Sequence, residues 1–150
     1  MTADADAGSP EPGGPNASSE VATRLPAQDL GRARAFYADT LGLHPVEERD
    51  GGLLYRCGSG HFALFASSGG PSGEHTQMSW DVPDVDGTVA ELRRRGVTFE
   101  TVDAPGLRTV DGIADIDGNY PSKGRGERAA WFRDSEGNIL SISEPWRAME

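Results

Sequence analysis

Polar side chains recur at every second position in several short segments of the chain. These segments contain Arg24, then Gln77, Ser79 and Asp81, and finally Ser141 and Ser143. In residues 77–82 the intervening positions are all apolar. Successive side chains of a β-strand point to opposite faces, so the alternation predicts strands with one face in water and the other in the core.

Arg24 and Asp81 are the charged members of this polar set. A guanidinium on a cavity wall costs several kcal/mol if it is desolvated and unpaired, so Arg24 must meet Asp81, water or an anionic ligand. We expect Arg24 to hold the carboxylate or enolate of a small organic ligand, with a solvated Arg24–Asp81 pair as the alternative. Asp81 is the candidate catalytic residue, because a carboxylate beside a substrate can act as a general base.

The chain also contains three histidines and one cysteine. His44, His61 and His75 could form a metal site together with an acidic side chain such as Glu74 or Asp81, or they could be ordinary surface residues. Cys57 cannot form an intrachain disulfide, which favours a cytoplasmic location, and we interpret it as a small buried apolar side chain.

Length and charge restrict the possible functions. The 150 residues are enough for one ordinary domain, and 24 acidic against 14 basic residues give a net charge of −10. Such a surface repels nucleic-acid phosphates and anionic lipids, so we expect neither as a partner. No apolar run reaches the roughly 20 residues of a membrane span. Residues 1–19 are small and polar, which predicts a disordered tail before a domain at 20–150.

The order of predicted elements occurs twice, in module one (residues 21–67) and module two (residues 77–144). Each module begins with a strand and a helix capped by Asp29 or Asp84, and three strands follow. The predicted strands are 21–25, 44–49, 53–57 and 62–67 in module one and 77–82, 97–102, 128–133 and 138–143 in module two. Residues 103–127 show no clear period, so we predict a long loop that packs over a ligand. Its basic end could close as a lid; the residues concerned are Tyr120, Lys123, Arg125 and Arg128.

Two motifs resemble a known superfamily. Residues 29–37 read Asp-Leu-Gly-Arg-Ala-Arg-Ala-Phe-Tyr and are followed by Leu41-Gly42-Leu43, which resembles the first-helix motif of the vicinal oxygen chelate superfamily. Residues 131–138 resemble its F-x-D-P-x-G-N turn, with Ser135 in place of the proline. The superfamily includes glyoxalase I, extradiol dioxygenases and bleomycin-binding proteins. The resemblance implies an α+β fold in which two βαβββ modules form a cup-shaped mixed sheet, and often a homodimer.

The resemblance also implies where a metal would lie in the enzymes of this superfamily. Its ligands come from the first and last strand of each module, at positions that correspond here to Ala22, Phe65 or Leu64, Gln77 and Ser141. Divalent cations prefer carboxylate, imidazole or thiolate ligands, and none of these positions supplies one. We therefore expect no family metal site and no cofactor.

With Ala22 facing the cup, strand alternation assigns the ligand-binding residues to that side. They are Arg24, Phe65, Gln77, Ser79, Asp81 and Ser141, together with Tyr120 from the loop. We expect a protein that binds a small organic ligand in the cup, anionic if Arg24 holds it, without the family metal site. The alternatives are a metal-independent isomerase, cyclase or lyase, a metal-dependent glyoxalase or dioxygenase with relocated ligands, and a module that only contacts other proteins.

Overall fold

Two mixed sheets and two helices form the α+β fold that the sequence predicts. The computed structural model describes residues 13–117 and 126–146, so the start of the predicted tail lies outside it. Module one contains β1 (Thr23–Ala27), α1 (Leu30–Asp39), β2 (Glu47–Arg49), β3 (Gly52–Cys57) and β4 (Gly60–Ala66). Module two contains β5 (Thr76–Asp81), α2 (Val85–Arg94), β6 (Asp103–Ala104), β7 (Leu107–Val110), β8 (Ile113–Asp117), β9 (Gly126–Arg133) and β10 (Ile139–Trp146).

Four strands of sheet two have the same order and relative directions as the four strands of sheet one. Sheet one has the order β1-β4-β3-β2 and sheet two the order β5-β10-β9-β8-β7-β6, with β1 parallel to β4 and β5 parallel to β10. The counterpart of β2 is therefore β8. The predicted strand at 97–102 is wrong, because in this segment only Phe99 forms an isolated bridge, to Phe132.

The prediction of an irregular loop is wrong over residues 103–117, which form β6, β7 and β8. Asp111 and Gly112 join β7 to β8 with φ values of 54° and 85°. A two-residue turn with both φ angles positive matches the twist of a hairpin, and Asp-Gly is a favoured sequence for it. Gly106 and Gly112, two of the glycines that suggested irregular structure, instead lie in the turns of short hairpins. Residues 126 and 127 of the predicted loop begin β9, and residues 118–125 lie outside the described part of the chain.

Each helix covers one face of its sheet, as its caps and apolar positions predict. Asp29 accepts a hydrogen bond from the Arg32 backbone nitrogen at 2.9 Å, and Asp84 accepts one from Gly87 at 3.1 Å. The buried positions are Ala33 and Tyr37 in α1 and Val85 and Val89 in α2. The opposite side of each sheet carries no helix, and we call it the open face. Neither helix in the described residues has the length and apolar character needed to cross a membrane.

A buried turn joins module two to module one. The turn spans residues 134–138, and we call it the module-two turn. Asp134 Oδ2 accepts hydrogen bonds from the Tyr37 hydroxyl at 2.7 Å and from the Asn138 amide at 2.9 Å. Asp134 Oδ1 accepts from the backbone nitrogens of Glu136 and Asn138. Buried polar groups are stabilising only when they are paired in this way, so the turn fixes α1 against sheet two.

Candidate functional site

The open face of sheet one contains a cavity of about 200 Å³. Arg24 pairs with Ala63 across β1 and β4, and Ala63 pairs with Leu54 across β4 and β3. Because paired residues lie on the same face, the three side chains line one surface. Phe65 extends this surface and is 39% exposed, which is unusual for a large aromatic side chain. Arg24 and Phe65, two of the predicted ligand-binding residues, thus line the same cavity.

The charge of this cavity is set mainly by two arginines. Arg49 and Glu47 belong to β2 and lie on the same face as Arg24, since they pair with Gly52 and Leu54. No described residue forms an ion pair with Arg24 or Arg49. Glu48, by contrast, faces the helix side, where the Arg34 guanidinium lies 2.6 Å away and holds the pKa of this carboxyl below its usual range. The cavity therefore presents two guanidinium groups and one carboxylate.

The open face of sheet two is acidic. Ser79 and Asp81 pair with Ser141 and Ser143, so the four side chains share this face, as the alternation predicts. Ser143 Oγ lies 3.3 Å from Asp81 Oδ1. Gln77 is half-buried at a register shift between β5 and β10, next to Thr76.

Glu127 is a further acidic residue on this face, which the sequence analysis placed in the loop. It pairs with Pro145 in β10 and shares the Ser143 hydroxyl with Asp81. Burial raises the pKa of Glu127 and the nearby Asp81 charge adds to this effect, whereas the hydrogen bond to Ser143 opposes it. Continuing the alternation back from Trp131 would have identified Glu127, but the predicted strand begins at Arg128, two residues after the observed start of β9 at Gly126.

Two parts of the predicted site are not observed: the pairing of Arg24 with Asp81 and the placement of Arg128 in a lid. Arg24 and Asp81 do not form an ion pair, so this one of the three predicted partners of Arg24 is not observed. Arg128 does not belong to a lid: its guanidinium contacts Asp86 of α2 and Asp115 of β8, each at 2.9 Å, on the helix side of sheet two. The other residues of the predicted lid, Tyr120, Lys123 and Arg125, lie outside the described residues.

Comparison with known proteins identifies the family. A model of the Glyoxalase/Bleomycin resistance protein/Dioxygenase superfamily matches residues 21–142. The chain belongs to this superfamily. The resemblance of the helix and turn motifs is thereby confirmed. No curated protein matches the chain.

Solved structures of this superfamily share the fold at low sequence identity. A glyoxalase/bleomycin resistance protein/dioxygenase from Alicyclobacillus acidocaldarius is 13% identical with a TM-score of 0.63, covering 86% of this chain and 92% of that one. Lactoylglutathione lyase from Agrobacterium tumefaciens is 20% identical (TM-score 0.57; 85% and 93% covered). An antibiotic binding protein from Streptomyces sp. CB03234 is 24% identical (TM-score 0.54; 83% and 93% covered). At these identities the likeness establishes the fold and not the activity.

The residues at the metal positions of the superfamily do not fit a divalent cation. The strand registers equate Ser141 with Ala63 and not with Phe65, because Ser141 pairs with Ser79 as Ala63 pairs with Arg24. Ala22, Ala63, Gln77 and Ser141 offer two alkyl groups, one amide and one hydroxyl, which lack the carboxylate, imidazole or thiolate ligands that such a cation prefers. The three histidines are exposed, and the described residues contain no group of three or more His, Cys, Asp or Glu side chains that could hold a metal ion.

Proposed function

We propose that this protein binds a small organic anion in the cavity on the open face of sheet one. The observation that carries the proposal is that Arg24 and the exposed ring of Phe65 line the same cavity, while no described carboxylate pairs with Arg24. The guanidinium would hold a carboxylate or enolate with two parallel hydrogen bonds. Phe65 and Leu54 would contact the apolar part of the ligand.

The size of the cavity favours a compact ligand. Sites for drug-sized molecules measure about 300–1,000 Å³, and this cavity measures about 200 Å³. Arg49 supplies a second positive charge at its edge, and Glu47 favours ligands that also carry a hydrogen-bond donor. A monocyclic acid with a hydroxyl or amino substituent has this combination of groups.

Native mass spectrometry of untagged protein would first identify any acid that remains bound during purification. The affinity of that acid, or of 4-hydroxybenzoate as a probe, is then compared for the wild type, Arg24→Ala and the matched surface variant Arg94→Ala. A hydrogen bond to a charged group is worth about 1.5–3 kcal/mol, so we expect Arg24→Ala to weaken binding about ten- to hundredfold. Equal affinities in Arg24→Ala and the wild type would contradict the proposal.

A metal-independent enzyme is the second candidate, and the acidic face of sheet two favours it. Glu127 has a raised pKa and shares Ser143 with Asp81, so one carboxyl could carry a proton while the other accepts one. An isomerase, cyclase or lyase reaction requires such an acid and base. Once a substrate is known, Asp81→Asn should lower kcat at least a hundredfold, and unchanged turnover would dismiss this candidate.

We further propose that the protein acts in the cytoplasm as a homodimer, without a cofactor and without nucleic acid or membrane partners. The excess of acidic residues and the single cysteine support the location and the lack of such partners. Sedimentation velocity would measure the oligomeric state, and a monomer at micromolar concentration would contradict the homodimer.

A further inference from the structure

A second cavity, of about 230 Å³, lies between the two modules on the helix side of the sheets. It adjoins the end of β3, and we call residues 57–60 the module-one turn. Cys57 from this turn, Leu92 from α2 and the aromatic pair Trp80 and Phe132 line the cavity. The two aromatic rings are stacked, with centroids 6.4 Å apart. The cavity lies on the other side of the sheets from the open faces that carry the proposed function, although Asp81 belongs both to its lining and to the open face of sheet two.

The internal repeat shows what fills the corresponding space in the other module. Tyr55 pairs with Phe62 in sheet one, as Phe132 pairs with Leu140 in sheet two, so Tyr55 is equivalent to Phe132. Two residues further along the chain, Cys57 is therefore equivalent to Asp134. Leu92 is equivalent to Tyr37, because each lies eight positions after the aspartate that caps its helix. Tyr37 and Asp134 are joined by a hydrogen bond of 2.7 Å. Leu92 and Cys57 leave a cavity where Tyr37 and Asp134 fill the space.

The lining determines what this cavity can accept. Besides the Cys57 thiol, most of the side chains that line the cavity are apolar and are buried or half-buried. Leu41, Leu43 and Ile142 complete the wall. The Thr88 hydroxyl already donates to the Asp84 carbonyl at 2.8 Å. Asp81 is the charged residue among those that line the cavity, and its carboxylate lies beside Ser143, which belongs to the open face. An anionic ligand would lose part of its hydration here without gaining a partner.

We propose that this cavity binds a compact, uncharged, apolar molecule of about the size of a substituted benzene ring. An enclosed apolar cavity of about 150 Å³ accepts benzene. This one is somewhat larger and is partly open to solvent, which gives the molecule a path of entry. The stacked rings of Trp80 and Phe132 supply an aromatic wall for such a molecule. Leu92 and Cys57 are the side chains whose size keeps the space open.

Titration with toluene, monitored by backbone and indole NMR signals, tests the proposal. We expect saturable shifts at Trp80, Leu92 and Cys57, with a Kd below about 1 mM. Benzoate at the same concentration should leave these three signals unchanged, whether or not it shifts the signals of Arg24 in the other cavity. Toluene should also slow alkylation of Cys57 by iodoacetamide at least threefold, and the single cysteine makes that rate unambiguous.

Leu92→Tyr, which introduces the residue of the other module, should weaken toluene binding at least tenfold. Ala90→Tyr is the matched control, because it adds the same side chain to an exposed position of the same helix. Cys57→Leu fills the cavity from the opposite wall and replaces Leu92→Tyr if that variant does not fold. The proposal is overturned if no saturable shift occurs, if Leu92→Tyr and the wild type bind toluene equally, or if Leu92→Tyr turns a dimer into a monomer because a second copy covers this surface.

Discussion

The module-one and module-two turns occupy equivalent positions in the repeat but contain different side chains. In the module-two turn, Asp134 and Asn138 form a buried hydrogen-bond network with Tyr37 of the other module. In the module-one turn, Cys57 is followed by Gly58, Ser59 and Gly60, and a cavity takes the place of the network. Apart from the register shift between β5 and β10, equivalent strands have the same register in both modules. Duplication of the backbone therefore does not require duplication of the contacts between modules, and we infer that one junction stabilises the fold while the other leaves room for a ligand.

Removing the central carboxylate of the module-two turn should have the largest effect. Asp134→Ala leaves the Tyr37 hydroxyl, the Asn138 amide and two backbone nitrogens without their acceptor. Each buried unsatisfied group costs about 1–3 kcal/mol, and water entering the space lowers the sum. We expect a loss of about 3–5 kcal/mol in the free energy of unfolding, measured by urea denaturation at pH 7. A loss below 1 kcal/mol would show that the network does not hold the modules together.

Glu136 in the same turn should have a smaller and pH-dependent effect. Its buried carboxylate accepts hydrogen bonds from the Arg32 guanidinium at 2.8 and 3.0 Å and from the Asp29 backbone nitrogen, which lowers its pKa to about 2. A carboxyl whose pKa is lower in the folded state than in the unfolded chain stabilises the fold above its unfolded pKa. This stabilisation is lost as the pH falls from about 4.5 to about 2.

Because the Arg32 side chain is half exposed, we expect Glu136→Gln to cost only about 1–2 kcal/mol at pH 7. The difference from the wild type should shrink as the pH falls from 4.5 and be small by pH 2, as measured by urea denaturation across this range. Glu48→Gln is the matched control, since its pair with Arg34 is exposed on both sides. A constant difference between Glu136→Gln and the wild type across this range would contradict the role of the ionised carboxylate.

Local sequence signals were sufficient to predict the two helices and, for most strands, which side chains face the helix side and which face the open side. Asp29 and Asp84 cap the helices as predicted, and alternation placed Arg24 on the face that carries no helix. The strands β6–β8 were missed because they are short and their glycines belong to tight turns. Arg49 was missed as a site residue because β2 is a short edge strand of charged residues, whose face is set by pairing with β3.

The second cavity could not be predicted from any one segment. It depends on the side chains of Cys57 and Leu92, which are 35 positions apart in the sequence and meet only when the modules pack. The repeat indicates where the cavity lies, since Tyr37 and Asp134 occupy the positions equivalent to Leu92 and Cys57. A comparison of equivalent positions shows which junction is filled and which one leaves a cavity.

Tyr37→Phe should have a smaller effect than either change in the module-two turn. The substitution removes one hydrogen bond of 2.7 Å and leaves Asp134 with its other donors. We expect a loss of about 0.5–1.5 kcal/mol by urea denaturation. Burial and the nearby Asp134 charge raise the pKa of the Tyr37 hydroxyl, so it remains a donor and the loss should be constant from pH 6 to pH 9. A loss that vanishes at pH 9 would show that the hydroxyl ionises there.

Cys57→Ala should have the smallest effect, although Cys57 is the counterpart of Asp134. Its half-buried sulfur borders a cavity that already exists, so the substitution removes few packing contacts and enlarges a space that solvent or a ligand can occupy. We expect a loss below about 0.5 kcal/mol by urea denaturation under the conditions used for Asp134→Ala. Similar losses for the two variants would mean that both junctions are packed alike, and the distinction between a stabilising junction and a ligand cavity would have to be abandoned.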